Sequence, residues 1–467
     1  MLSEDILFLP VIELAKRIRA RQLSPVALAE SYLDRSRSIG TKLNAYVTLT
    51  PELALKQAHA AEKEIAAGRY RGPLHGIPYA AKDLLAVKGY PTTWGARPYA
   101  DQRFDYDATV IKKLEAAGAV LLGKAAMIEL AGGMGYRYAS ASATGAAKNP
   151  WNTDYWTCGS SSGSAAITAA GLAAFAIGTE TWGSIICPSG FCGLSGLRPT
   201  YGRVSRSGAM ALSYTMDKIG PITRSADDCD LVLKVISGHD AEDLGSLPEA
   251  AAKYSGAAEV KGKLRVGWLV NQWKELSPDV NQAVMAARQV LEKSPSIDLS
   301  NTTLPEGPWE TAAGLVVSVE GATAFRTLIQ SGRVAELSDP LGKIGGYMNV
   351  EISASDFILA QRIRAILQVK MDEIFQHVDV LATASLPVTA SKIDANLDET
   401  LTFADPVGGI GNICGLPAIS VPCGFGQHGL PVGIQFVGRA RDDAKIVQAT
   451  RIFQRQTDWH RKHPALS

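Results

Sequence analysis

Three stretches of this chain gather side chains able to do acyl chemistry without a metal. Cys158-Gly159-Ser160-Ser161-Ser162-Gly163-Ser164 and Gly178-Thr179-Glu180-Thr181-Trp182-Gly183-Ser184 pack serines and glycines around one helix-sized apolar segment, and neither contains a histidine. A serine hydroxyl attacks a carbonyl usefully only when a base takes its proton. The candidate base lies upstream in Gly76-Ile77-Pro78-Tyr79-Ala80-Ala81-Lys82-Asp83, where Lys82 ends a short apolar run that reads as a strand buried on both faces. The combination points to a serine–lysine catalyst. Its lysine must be neutral to act as a base, which demands burial and cationic or dipolar neighbours.

Each feature also has a plainer interpretation. A lysine at a strand end ordinarily snorkels or pairs with a neighbouring carboxylate, here Asp83. A Gly/Ser-rich loop ordinarily carries no chemistry. Together they outweigh these readings, because the serine cluster needs a base and Lys82 supplies one. Gly159–Gly163 also matches the G-x-S-x-G nucleophile elbow of an esterase, with Ser161 as nucleophile. An elbow leaves an apolar strand, whereas this one follows the turn-rich Asn149-Pro150-Trp151-Asn152-Thr153-Asp154. No acid-then-histidine pair follows in recognisable context, although His428 and His460 exist. It therefore ranks below the lysine reading. Gly118 to Ala125 fits a phosphate loop up to its last position, but the spacer is an apolar β run and Ala125 stands where a hydroxyl would hold magnesium. Seven scattered histidines without H-E-x-x-H spacing give no reason to expect a metal or a cofactor, and the six cysteines read as reduced and buried.

The elements that must position these residues alternate in type. Helices are expected over Val11–Ala20, over Pro25–Arg37 with Ser24 as N-cap, and over Pro51–Ala67, giving a helical N-terminal part through residue 70. Strand Ile77–Lys82, helix Ala108–Ala117 and strand Ala119–Leu122 form a parallel crossover. Helix Ser164–Ala174 would aim free amides at the serine loop. Later strands and helices continue the mixture, with Asp240–Lys263 the expected mobile connection. The class is α/β, with one large core over residues 1–467 and a variable region at about 230–350. A formal charge of +1 in 467 residues, without basic runs, excludes a general nucleic-acid role. The acidic N-terminus and the lack of about 18 uninterrupted apolar residues predict no signal peptide and no membrane span, hence a cytoplasmic protein.

In order along the chain, Gly76–Asp83, Cys158–Gly163, Gly178–Pro188 and Phe191–Val204 resemble the amidase signature family of serine hydrolases. The likeness extends to Gly123-Lys124, Asn149–Asn152, Asp217–Pro221 and Gly415–Pro422, leaving about 230–400 weakly matched. The resemblance implies a single α/β/α domain around a large mixed, twisted sheet. It also implies a triad in which Ser184 is the nucleophile, Ser160, after a cis peptide, relays the proton, and Lys82 is the base. Backbone amides of Thr181, Trp182, Gly183 and Ser184 would face the oxyanion, a contribution of roughly 3 to 4 kcal/mol per donor in other hydrolases. Ser161, Ser162 and Ser164 are left to loop hydrogen bonding.

Two residues depart from the family pattern. Trp182 and Cys158 stand where relatives usually have glycine, and Trp182 is expected to act as an aromatic wall. Gly132, Gly133 and Trp182 are the candidates for substrate contact. Leu315-Val316-Val317-Ser318-Val319 and Tyr347-Met348, in the poorly matched middle, lean toward apolar or aryl groups. The expected reaction is hydrolysis of small or aryl amides, anilides or carbamates by an enzyme whose only expected partner is its small-molecule substrate, with a homodimer left open. The alternative that the resemblance offers is the glutaminase-type subunit of a tRNA-dependent amidotransferase. Such relatives bind glutamine's carboxylate with an arginine from an Arg-Arg stretch before the helix ending near Phe375. Here that stretch reads Lys343-Ile344-Gly345-Gly346-Tyr347-Met348-Asn349, without the pair.

Overall fold

The computed structural model describes residues 2–271, 276–346, 351–400 and 405–466. Its strands are β1 (Tyr46–Leu49), β2 (Pro78–Lys82), β3 (Val120–Ala125), β4 (Lys148–Asn149), β5 (Asn152–Trp156), β6 (Phe175–Glu180), β7 (Ser195–Arg198), β8 (Lys218–Thr223), β9 (Leu264–Leu269), β10 (Ile297–Thr302), β11 (Val380–Ala384), β12 (Ala418–Phe425) and β13 (Pro431–Gly438). Eleven of them form one mixed sheet in the order β1-β3-β2-β6-β8-β7-β12-β13-β11-β9-β10, and β4 pairs with β5 in a separate ribbon. The chain is α/β, with helices flanking the large mixed sheet, as the sequence predicts.

Every residue of β2, β3 and β6 is buried. That is why these strands read as unbroken runs of apolar and small residues rather than as alternating ones. The predicted crossover is present: β2 runs parallel to β3, with the helix Thr109–Ala116 between them in sequence. β2 is also parallel to β6, with Ala81 opposite Ile177. The carboxyl ends of β2 and β6 therefore lie side by side, and in α/β sheets ligand chemistry collects just beyond such ends.

Several boundaries differ from expectation. The N-terminal part contains β1, which pairs antiparallel with β3 at the sheet edge. The strand expected over Ala119–Leu122 runs on to Ala125 and takes in Lys124, fully buried against Asp83 at 2.9 Å. The helix expected over Ser164–Ala174 spans Ser162–Ala169, because Gly171 at φ +64° turns the chain toward β6. Asp240–Lys263, expected to be loose, is tied down where Asp243 pairs with Arg206 at 2.6 Å and Asp240 accepts from Thr109 and Ser205. Region 230–350 supplies β9 and β10 to the same sheet and the helix Trp309–Ala324.

The Ser162–Ala169 helix approaches neighbouring backbone closely. A Cβ at Gly163 would lie 2.4 Å from both Ala126 N and Ala45 O. Backbone cannot swing aside as a side chain can, so Gly163→Ala should destabilise by at least about 1 to 3 kcal/mol. A thermal melt should show Tm several degrees lower, and an unchanged Tm would contradict so tight an approach.

Candidate active site

Lys82, the last residue of β2, is completely buried. Four oxygens lie within hydrogen-bonding distance of its Nζ: Ser160 Oγ at 2.8 Å, Thr179 Oγ1 at 2.9 Å, Ser161 Oγ at 3.0 Å and the Thr179 carbonyl at 3.3 Å. All four acceptors are uncharged. Burial lowers the amine to about 7, against the opposing pull of Asp217 and Glu180. Ser160 Oγ donates onward to Ser184 Oγ at 3.0 Å, which completes a hydrogen-bonded chain from amine to hydroxyl. The Gly159–Ser160 peptide is cis. Asp83, the plainer partner for Lys82, instead pairs with Lys124 and accepts from Thr93.

Glu180 shapes the turn that carries Ser184. One of its oxygens accepts from the amides of Ile185 and Ile186 at 2.8 and 3.0 Å; the other accepts from Arg198 Nη1 at 2.6 Å and Asn412 Nδ2 at 3.0 Å. Burial alone would raise this carboxyl, but Arg198, Lys218 and the amides hold it at about 2. The carboxylate thus draws the chain back on itself, with Gly183 at φ +76°, a conformation that suits glycine. Among the described residues, the amides of Trp182, Gly183 and Ser184 donate to no protein acceptor. They stand beside the Ser184 hydroxyl and are available to a developing oxyanion.

Ser184 opens onto a cavity of about 350 Å³. Gly132, Gly133 and Trp182, the three residues expected there, line it. The room for Trp182 comes from Gly408-Gly409: a Cβ on Gly408 would lie 2.6 Å from the indole nitrogen, and one on Gly409 would lie 3.1 Å from the six-membered ring. Of the apolar run 315–319, Val317 and Ser318 reach the cavity, while Val316 is buried in the core. Tyr347 and Met348 lie outside the described residues. Ser161 does not line the cavity. It is fully buried, accepts from Lys82 and donates to the Thr179 carbonyl at 3.1 Å, so the geometry offers nothing to an elbow mechanism. Ser164, expected in the loop, lies in the Ser162–Ala169 helix, and its hydroxyl donates to the Ile177 carbonyl of β6 at 3.2 Å.

Other contributors escaped the sequence reading. Thr179 holds the lysine and Glu180 the turn; both were visible inside the Gly178–Ser184 stretch as polar residues ending an apolar strand. Cys187, Leu212 and Glu310 line the cavity, and nothing in their local sequence marks them. A second cavity of about 280 Å³ adjoins the first, sharing Ala131, Thr181 and Leu212, and is lined by the charged Arg206, Asp217, Lys218 and Asp243. No group of three histidine, cysteine or acidic side chains able to hold a metal occurs among the described residues, and none of their helices is long and apolar enough to cross a membrane.

A seryl hydroxyl linked through a second serine to a buried amine, beside unpaired amides, can attack an acyl carbon and return a proton to a leaving nitrogen. The Amidase family model matches residues 27–447, and the chain belongs to this family, the amidase signature hydrolases of C–N bonds. The glutamyl-tRNA(Gln) amidotransferase subunit of Acinetobacter baumannii is 37% identical over 99% of both chains. Among solved structures, one described as a vestigial protein complex bearing on the origins of an s-triazine catabolic enzyme aligns with TM-score 0.86 and 26% identity over 96% of this chain and 98% of that one. The peptide amidase of Stenotrophomonas maltophilia aligns with TM-score 0.81 and 28% identity over 96% of each.

If the indole is a wall of the cavity, Trp182→Gly should raise kcat/KM for bulkier acyl groups relative to smaller ones by about tenfold or more. A panel of amides graded by acyl size checks this, and an unchanged profile would remove Trp182 from the determinants of specificity.

Proposed function

We propose that this protein hydrolyses the C–N bond of a small amide through an acyl-enzyme on Ser184. The observation that carries the proposal is the unbroken Lys82–Ser160–Ser184 hydrogen-bonded chain, at 2.8 and 3.0 Å, ending in a cavity walled mainly by apolar and small residues. Neutral Lys82 takes the Ser184 proton through Ser160 as Ser184 Oγ bonds the carbonyl carbon. The amides of residues 181–184 meet the oxygen as it gains charge. The same path returns the proton to the leaving nitrogen as the C–N bond breaks, and water then cleaves the ester. Apolar walls favour aliphatic, aryl or anilide groups over strongly acidic ones.

A second reading makes the chain the glutamine-hydrolysing component of an amidotransferase, and the comparisons favour it over a stand-alone amidase. Its support is the 37% identity over 99% of both chains to a subunit of the glutamyl-tRNA(Gln) amidotransferase. Against it, no cationic side chain lines the cavity among the described residues, and 343–349 lacks an arginine pair. Both readings use the same proton path. Glutamine hydrolysis that appears only with partner subunits would decide for the amidotransferase, whereas turnover of simple amides or anilides by the isolated chain would decide for the amidase.

The proton path has its own test. Lys82→Ala and Ser160→Ala should each lower kcat by about a thousandfold or more while circular dichroism stays native. A fluorophosphonate should label Ser184 and fail on Ser184→Ala. With the lysine at about 7, the base is lost as pH falls: kcat/KM should drop about tenfold per pH unit below 7 and level off above it. A profile flat from pH 5 to 8 in the wild type would take Lys82 out of the base role.

A further inference from the structure

Region 230–350 contributes a wall of the cavity above Ser184 through the helix Trp309–Ala324, which presents Gly314, Val317 and Ser318. The distance of this helix from the nucleophile has to be fixed by a contact. Glu320 lies one turn beyond Val317 on the same side of the helix, and it is not one of the described residues that line the cavity. Its carboxylate bonds the segment 212–217. One oxygen accepts from Ser213 Oγ at 2.5 Å and from the Thr215 amide at 3.0 Å, and the other accepts from Thr215 Oγ1 at 2.8 Å.

The direction of these bonds is set by a cation. Arg364, on the helix Ala354–His377, donates to Thr215 Oγ1 at 2.7 Å and to the Thr215 carbonyl at 2.8 Å. A guanidinium accepts nothing, so the Thr215 hydroxyl must turn its own proton to Glu320. It thereby bridges anion and cation, and the carboxylate meets three donors. A glutamine amide in its place would leave at least one of them without an acceptor, whichever way it turned.

The same segment reaches the oxyanion turn. Asp217 accepts from the Leu212 and Ser213 amides at 2.8 and 3.0 Å with one oxygen and from Thr181 Oγ1 at 2.5 Å with the other. Thr181, Leu212 and Val317 all line the cavity. Asp217 therefore ties the segment to the turn, and Glu320 ties the helix to the segment. Loss of the second tie leaves the first in place.

We propose that Glu320 is a positioning residue for substrate size: by clasping the helix Trp309–Ala324 to the segment 212–217 it sets how far Val317 stands from Leu212, and so the bulk of the acyl group that the cavity admits. This rests on the reading of Ser184 as the nucleophile and holds for either substrate considered above. Glu320 acts through the residues that line the cavity and does not touch the substrate.

Fluorophosphonates graded from a methyl group to branched and longer alkyl groups at phosphorus test this directly, because they report on Ser184 without a known amide. In the wild type the second-order labelling rate should fall with bulk. In Glu320→Gln the bulky-to-small ratio should rise about tenfold or more, through KI rather than through the rate at saturation. Thr215→Val should move the ratio the same way, and the double variant should not exceed Glu320→Gln alone, because both changes break one bridge. Each ratio is read within a single preparation, so partial unfolding does not mimic it. Rates that fall by one common factor in Glu320→Gln, a wild type indifferent to bulk, or effects of the two changes that add in full would each overturn the clasp while leaving the Ser184 chemistry intact. A wild type that no member of the series labels would overturn both.

Discussion

A lysine amine sealed from water and surrounded by neutral oxygens is the constraint around which this site is built. Two hydroxyls of the serine loop, one threonine hydroxyl and one carbonyl satisfy Lys82 without fixing its charge. A carboxylate in direct contact would keep the amine protonated and useless as a base. The nearest one in sequence, Asp83, is turned away and neutralised by Lys124. Glu180 is occupied by Arg198, and Asp217, raised chiefly by burial, accepts from Thr181. The arrangement has a cost. The amine is held near 7 in the fold, below its ordinary 10.5, so between those values the unfolded chain binds more protons and stability rises with pH. Below 7 the fold must bury a charge without a directly bonded counter-ion, a strain tolerated where it serves chemistry.

The sheet and one buried ion pair bring the other end of the hydrogen-bonded chain to the lysine. Because β2 and β6 are parallel neighbours, Lys82 and Thr179 meet at their carboxyl ends, and the chain beyond Thr179 has to reverse within a few residues to present Ser184. Glu180 makes that reversal by gathering the Ile185 and Ile186 amides with one oxygen and Arg198 and Asn412 with the other. Arg198 ends β7 and Asn412 lies in the Gly408–Ile413 helix, which also seats Trp182. A buried pair of this kind is weak evidence of stability, but removing either partner would strand a charge and release the turn. Its contribution here is to fix where Ser184 stands.

Much of this was legible in the sequence, for a local reason. Lys82, Ser160 and Ser184 each sit in a short stretch whose residue types are unusual together, and the parallel crossover from β2 to β3 follows from two apolar runs and a capped helix. The uninformative parts are those decided by contacts between distant segments. β1 is short, with each of its residues partly exposed, so alternation and length give no signal. Lys124 looked like part of a phosphate-loop decoy, and only the pairing of β2 with β3 shows it as the partner that holds Asp83 away from Lys82. The cavity wall draws on residues near 132, 158, 182, 212 and 314. No local pattern joins five such segments.

The same division separates what similarity shows from what the cavity wall would decide. Identity of 37% across 99% of two chains establishes family and fold, yet it leaves nearly two thirds of the positions free to differ, and substrate choice resides in a handful of them. Trp182 illustrates how a wall residue can be accommodated without disturbing the residues beside it. Its backbone amide belongs to the turn stapled by Glu180, so the donor stays in place whatever side chain the residue bears. The bulk of the indole is taken up by the bare backbone of Gly408-Gly409 rather than by displacement of Ser184. Because turn and wall are held by separate contacts, the wall can vary without moving the Lys82–Ser160–Ser184 hydrogen-bonded chain. The reaction class can then be inferred from residues that hold the path, and the substrate only from those that line the space.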